Sequence, residues 1–144
     1  MGLSAPPGMD KSQDQFQTLL ANLAPRVNNA LSRQNSVPPI ALLLLENDEV
    51  ETVLYVAGED ESLADEMNNL QRVLIEKADE KSALAACLSY PDYEQEEVVA
   101  LLENAENYCA ECRIPVVMDE TLQLDLAKMT VGDGMVFVFG EGGP

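Results

Sequence analysis

The sequence predicts an α+β fold, a mainly antiparallel sheet with a hairpin-helix-strand core and an N-terminal helical segment. Three observations carry this expectation. Residues 12–34 hold apolar side chains at helical spacing; residues 40–57 hold two apolar runs around a polar turn; residues 62–77 return to helical spacing before another apolar run at 82–90. A chain of 144 residues fits one domain and can bury a sizeable core without disulfide or metal.

Residues 1–9 contain Pro6, Pro7 and Gly8 and are expected to form a disordered lead. Residues 10–36 form the helical segment. Phe16, Leu19, Leu20, Leu23, Val27, Ala30 and Leu31 fall on one stripe, and the opposite side is Gln, Asn, Ser and Arg. Pro25 lies inside this stripe and is expected to kink the helix or start a second one, because it removes a backbone donor and crowds the preceding turn. Pro38-Pro39 stops the helix. Burying five or six such side chains is worth on the order of 10 kcal/mol before entropy, so the stripe needs a cover. That cover is the chain's own sheet, another copy, or a partner.

Residues 37–140 are expected to form the acidic α+β domain, and 141–144 a flexible tail. Ile40 to Leu45 is an unbroken apolar run, followed by Glu46-Asn47-Asp48-Glu49 and then Val50 to Ala57, the pattern of a hairpin with an Asn-Asp turn. A first strand apolar on both faces has to be covered on both faces. Ser62 and Asp65 mark a helix start, and Leu63, Met67, Leu70 and Leu74 give the following helix its apolar face. Ser82 to Tyr90 returns as a third strand. Leu122, Leu126 and Met129 predict a short helix within 119–129, Gly132-Asp133-Gly134 a turn, and Met135 to Phe139 a last strand.

Residues 96–117 read in two ways. Val98, Leu101, Leu102, Ala105, Tyr108, Cys109 and Cys112 fit a helical stripe, while Val98–Leu102 and Tyr108–Val117 also fit two strands turned at 104–107. The order hairpin, acidic helix, small-residue strand and then the segment VVALLENAENYCAECRIP resembles a family of small uncharacterised bacterial α+β proteins over about residues 40–118. The resemblance implies a hairpin ending at the Ile-Pro pair, and it brings no activity with it.

Composition excludes several functions. With no histidine, the chain has no Ser-His-Asp or Cys-His site and no His-ligated zinc. The net charge of −18 is uneven: residues 1–36 hold three basic and two acidic residues, residues 37–144 five and 24. Phosphate backbones and anionic lipids repel such a body, so neither nucleic acid nor membrane is an expected partner. The apolar run at 42–45 is too short to span a bilayer, no signal-peptide pattern is present, and three cysteines make no secreted disulfide scaffold. The expected location is cytoplasmic.

Cys109-Ala110-Glu111-Cys112 is the one motif with chemical promise, as a thiol–disulfide pair. Glu103, Glu106 and Glu111 beside it oppose thiolate formation, and on a strand residues three apart point to opposite faces. Cys87, Cys109 and Cys112 supply at most three zinc ligands. The acidic clusters at 46–49 and 59–61 lack the ligand alternation of a calcium loop, Gly132-Asp133-Gly134 lacks the lysine of a phosphate loop, and no serine lies in a nucleophile motif. The expectation is a non-catalytic interaction or self-association module, without cofactor or metal. Its homo-oligomer or partner contact would use Phe16, Leu19, Leu20, Leu23, Val27 and Leu31. The alternatives are a redox protein using Cys109 and Cys112, or a small-ligand binder with a cleft between helix and sheet.

Overall fold

The computed structural model describes residues 7–34, 37–119 and 121–139. Helix α1 spans Pro7–Gln34, and α2 spans Leu63–Glu80. The strands are β1 (Ile40–Leu44), β2 (Val50–Val53), β3 (Ala85–Asp92), β4 (Glu97–Asn104), β5 (Cys109–Asp119), β6 (Thr121–Leu124) and β7 (Thr130–Asp133). They form one antiparallel sheet in the order β2-β1-β3-β4-β5-β6, with β7 also on β5. The α+β class with an N-terminal helix is thus the observed one.

The two-sided apolar pattern of β1 has a direct structural counterpart. Leu42 and Leu44 face α1, whereas Ala41 and Leu43 face α2, and all four are buried. On the α1 side, Leu19, Leu23, Val27 and Leu31 recur every fourth residue and pack over Ala85, Cys87, Ala100 and Cys112, small side chains that let the helix come close. Pro25 does not divide α1, which runs through it. Both Pro25 and Ala21, whose carbonyl loses its helical donor, are exposed, so water can replace the missing bond. On the other side, Leu70, Leu74 and Ala78 of α2 pack on Ala86, Leu88 and Val53. The helix-start reading holds in detail: Ser62 is the N-cap, and its side chain accepts from the Asp65 backbone N–H at 3.1 Å.

The ambiguous segment 96–117 is a hairpin, β4 and β5, paired from Glu97↔Pro115 to Glu103↔Cys109. Its turn is closed by Asn104, whose Oδ1 accepts from the N–H groups of Glu106 and Tyr108. The buried amide Nδ2 of Asn104 donates to Ser12 Oγ and Gln15 Oε1 at 2.6 and 3.0 Å, fastening the start of α1 to this turn. The first hairpin turns at Asn47-Asp48 as expected, with Asp48 in the left-handed region at φ 66°.

Two expectations are corrected beyond Asp119. The helix read into 119–129 is β6 followed by a single 3-10 turn at Leu126–Lys128, because the outer edge of β5 offers this segment backbone partners that outweigh its local spacing. The expected last strand, 135–139, is no strand. The strand is β7, which takes the remaining stretch of the same β5 edge, pairing Ala110↔Asp133 to Arg113↔Thr130. Strands β6 and β7 thus form one interrupted edge. Asn28 Oδ1 of α1 accepts the Leu124 N–H at 2.8 Å, capping that edge where β6 ends. Gly134 follows at a close approach, since a Cβ there would lie 2.7 Å from the Ala110 nitrogen. The chain then passes to the α2 side, where residues 137–139 lie on the sheet. The lead at 1–6 and the tail at 141–144 lie outside the described residues, while 7–9 belong to α1.

Candidate binding groove

The residues singled out in the sequence fall in different places. Leu19, Leu23, Val27 and Leu31 are buried against the chain's own sheet, and Phe16 and Leu20 are half-buried at its margin. Of the covers left open for this stripe, the chain's own sheet is the one the structure uses, which leaves little of these six side chains for a partner. Cys109 and Cys112 lie three apart on β5 and therefore point to opposite faces, Cys112 buried towards α1 and Cys109 half-buried on the α2 side. All three cysteines are free. Burial, then the neighbouring Glu111, pushes the Cys112 thiol up to about 11. Burial, then Glu103, raises Cys109, and burial, then Cys112, raises Cys87. The thiols are held in their protonated, poorly nucleophilic form. Among the described residues no three acidic or cysteine side chains converge to hold a metal ion, and no helix is long and apolar enough to cross a membrane.

What the fold builds instead is a groove of about 370 Å³ beyond the C-terminal end of α1. The helix ends before it has covered the far ends of the strands. Leu31 and Val37 from the helix side, Val98 of β4, Val116 of β5 and Leu122 of β6 supply an apolar floor. Met118 and Tyr93 stand at its mouth, 69% and 63% exposed. Asp92, Glu96 and Glu97, at and beside the β3–β4 turn, border it as an acidic rim; the side chains of Asp92 and Glu97 lie on the α2 face, opposite to Val98, and Glu96 is in the turn itself. Glu96 holds that turn in the left-handed region at φ 55°, and its carbonyl accepts the Val116 N–H at 2.9 Å.

The rim is electrostatically unbalanced. Arg113 of β5 donates from Nη1 to Asp92 and Glu97, both at 3.2 Å, and from Nε to Glu111 at 3.1 Å. One guanidinium meets three carboxylates, before Glu96 is added. Apolar walls beneath negative potential make a receptor for a group that is greasy along its length and positive at its tip.

A second buried acid escaped the sequence reading. Glu103 of β4, fully buried, accepts the backbone N–H groups of Phe137 and Val138 at 2.7 and 2.6 Å on Oε1, and of Phe139 at 3.1 Å on Oε2. Gln71 Nε2 of α2 donates to the Phe137 carbonyl at 2.8 Å from the other side. Both carboxylate oxygens of Glu103 accept within this clasp, so the residue anchors the C-terminal segment. The signal was a lone carboxylate on the inward face of an apolar strand. The groove had no local signal, since its walls come from residues 31 to 122. Comparison with family models, curated proteins and solved structures finds no match.

Proposed function

We propose that this chain is a non-catalytic binding module that receives apolar, positively charged side chains of a protein partner in the groove beyond α1. The carrying observation is the apolar floor of Val98, Val116 and Leu122, bordered by the acidic β3–β4 turn with Glu96 and flanked, on the other face of the sheet, by Asp92 and Glu97. The net charge of −18 supports a cationic partner over nucleic acid, an anionic lipid surface or another copy of the chain, all of which it repels. The raised thiols speak against the redox alternative.

Titration with n-hexylammonium and with hexanoate, read by methyl NMR, tests the reading. The amine should shift the methyls of Val98, Val116 and Leu122, and the acid should not. Glu96→Gln should weaken the amine about two- to fivefold, as expected for one partly exposed ion pair. Equal binding of both probes, or shifts confined to other parts of the chain, overturns the proposal.

A further inference from the structure

We propose that the outer edge of β2 is a second docking surface, on which an extended segment of another protein, alternating basic and apolar residues, adds as a strand. The argument starts from backbone direction. Leu45 N donates to Glu49 O, and Leu84 N donates to Leu44 O. Alternation along an antiparallel pair therefore turns the backbone groups of Glu51 and Val53 towards β1 and those of Val50 and Thr52 outward. Among the described residues no strand pairs with that outward side.

Exposed apolar side chains continue this edge on the α1 face of the sheet. Beyond Thr52, at the same two-residue spacing, Leu54 and Val56 are 81% and 90% exposed. Tyr55 between them fixes this orientation. Its hydroxyl donates to Glu61, Asn69 Nδ2 donates to both the Tyr55 oxygen and Glu61, and the Gly58 N–H donates to Glu61. With Tyr55 tied to α2, its neighbours face away from α2. β2 is short and carries one charge, Glu51, but the run from Val50 to Val56 has neither the lysine nor the proline that ordinarily blunts a sheet edge. The other edge contrasts with it, being capped by Asn28 and broken by a 3-10 turn.

Charge selects the occupant. Residues 46–61 carry seven carboxylates and no basic residue. The cations that reach this edge are Lys81, paired with Glu51 at 3.6 Å, and Arg26, which donates to Thr52 Oγ1. A second copy would bring seven more carboxylates against these. A strand with alternating basic residues satisfies the outward amides, covers Leu54 and Val56, and meets the acidic flanks, the requirements of strand addition.

The test uses the full chain and a fluorescein-labelled peptide of four Lys-Val repeats, with a Glu-Val peptide as control. The Lys-Val peptide should bind and slow amide exchange at Val50 and Thr52, which exchange fast in the free chain. Thr52→Pro removes an outward donor while leaving the inward pairing intact, and should weaken binding about tenfold. Val56→Lys, at an exposed position that folding does not need, should weaken it as well. Val116→Lys in the groove should leave it unchanged. Slow exchange at Val50 and Thr52 in the free chain, equal binding of the Glu-Val peptide, a loss on Val116→Lys, or self-association through this edge in sedimentation each overturns the proposal.

Discussion

Replacing Glu103 by alanine removes the acceptor of three backbone amides at once. A hydrogen bond to a charged group contributes about 1.5–3 kcal/mol net, so three would suggest as much as about 9. The real loss is smaller, because residues 137–139 can lift off and rehydrate their amides. Losing the equivalent of about two of these bonds costs about 3–5 kcal/mol, the expected range here. Glutamine keeps one carbonyl oxygen, enough for the Phe137 and Val138 amides, but turns an N–H₂ group towards Phe139. Its expected cost is about 1–3 kcal/mol. With a urea slope of about 2 kcal/mol/M, Glu103→Ala should lower the unfolding midpoint by about 2 M. Amide exchange at 137–139 should accelerate in both variants, and more in alanine. An alanine variant within about 1 kcal/mol of the parent, with exchange at 137–139 still slow, would refute the clasp as the anchor.

Two further outcomes follow from the titrating groups. At pH 8 a thiol reagent should modify Cys109 alone and slowly, and oxidation should not join Cys109 to Cys112; mass spectrometry of the oxidised chain finding that bridge would contradict the opposite-face geometry. Glu61 is held below its ordinary value of 4.5 by the Gly58 N–H first, then by Asn69 and Tyr55. A depressed carboxylate adds stability that is complete above the unfolded value and is lost as pH falls through the folded one. Glu61→Gln should therefore lower stability at neutral pH and flatten the decline below about pH 4.5, and a pH profile parallel to that of the parent would count against the Tyr55–Glu61–Asn69 network.

The legible parts of the sequence were those where local pattern and burial agree. Ile40 to Leu44 demanded two covers and has two helices. Ser62 capped the helix it preceded, and the apolar stretch Val98–Leu102, open to helix or strand, became a strand once β3 was there to pair with. Leu122, Leu126 and Met129 misled because helical spacing competed with an open strand edge that only the folded β5 presents. Phe137 to Phe139 are apolar because they pack in the α2-side cluster with Val53 and Leu88, not because they pair, while Met135 is exposed; the buried carboxylate that holds the segment lies 34 residues upstream of Phe137. The stripe in α1 was read correctly as an apolar surface in need of a cover, and its pattern could not say which cover. The groove gathers side chains from α1, β4, β5 and β6 and the β3–β4 turn, so it exists only after folding.

The unequal ends of the sheet set a limit on assembly. A β-sheet propagates into a filament only when both margins of each subunit accept a neighbour. Here the margin built from β6 and β7 is interrupted in mid-course by a 3-10 turn, and Asn28 takes its Leu124 N–H, so it offers no continuous ladder to follow a first encounter at β2. A strand that added at β2 would therefore meet, across the sheet, a margin of different shape, and the two unlike ends disfavour end-to-end stacking of copies.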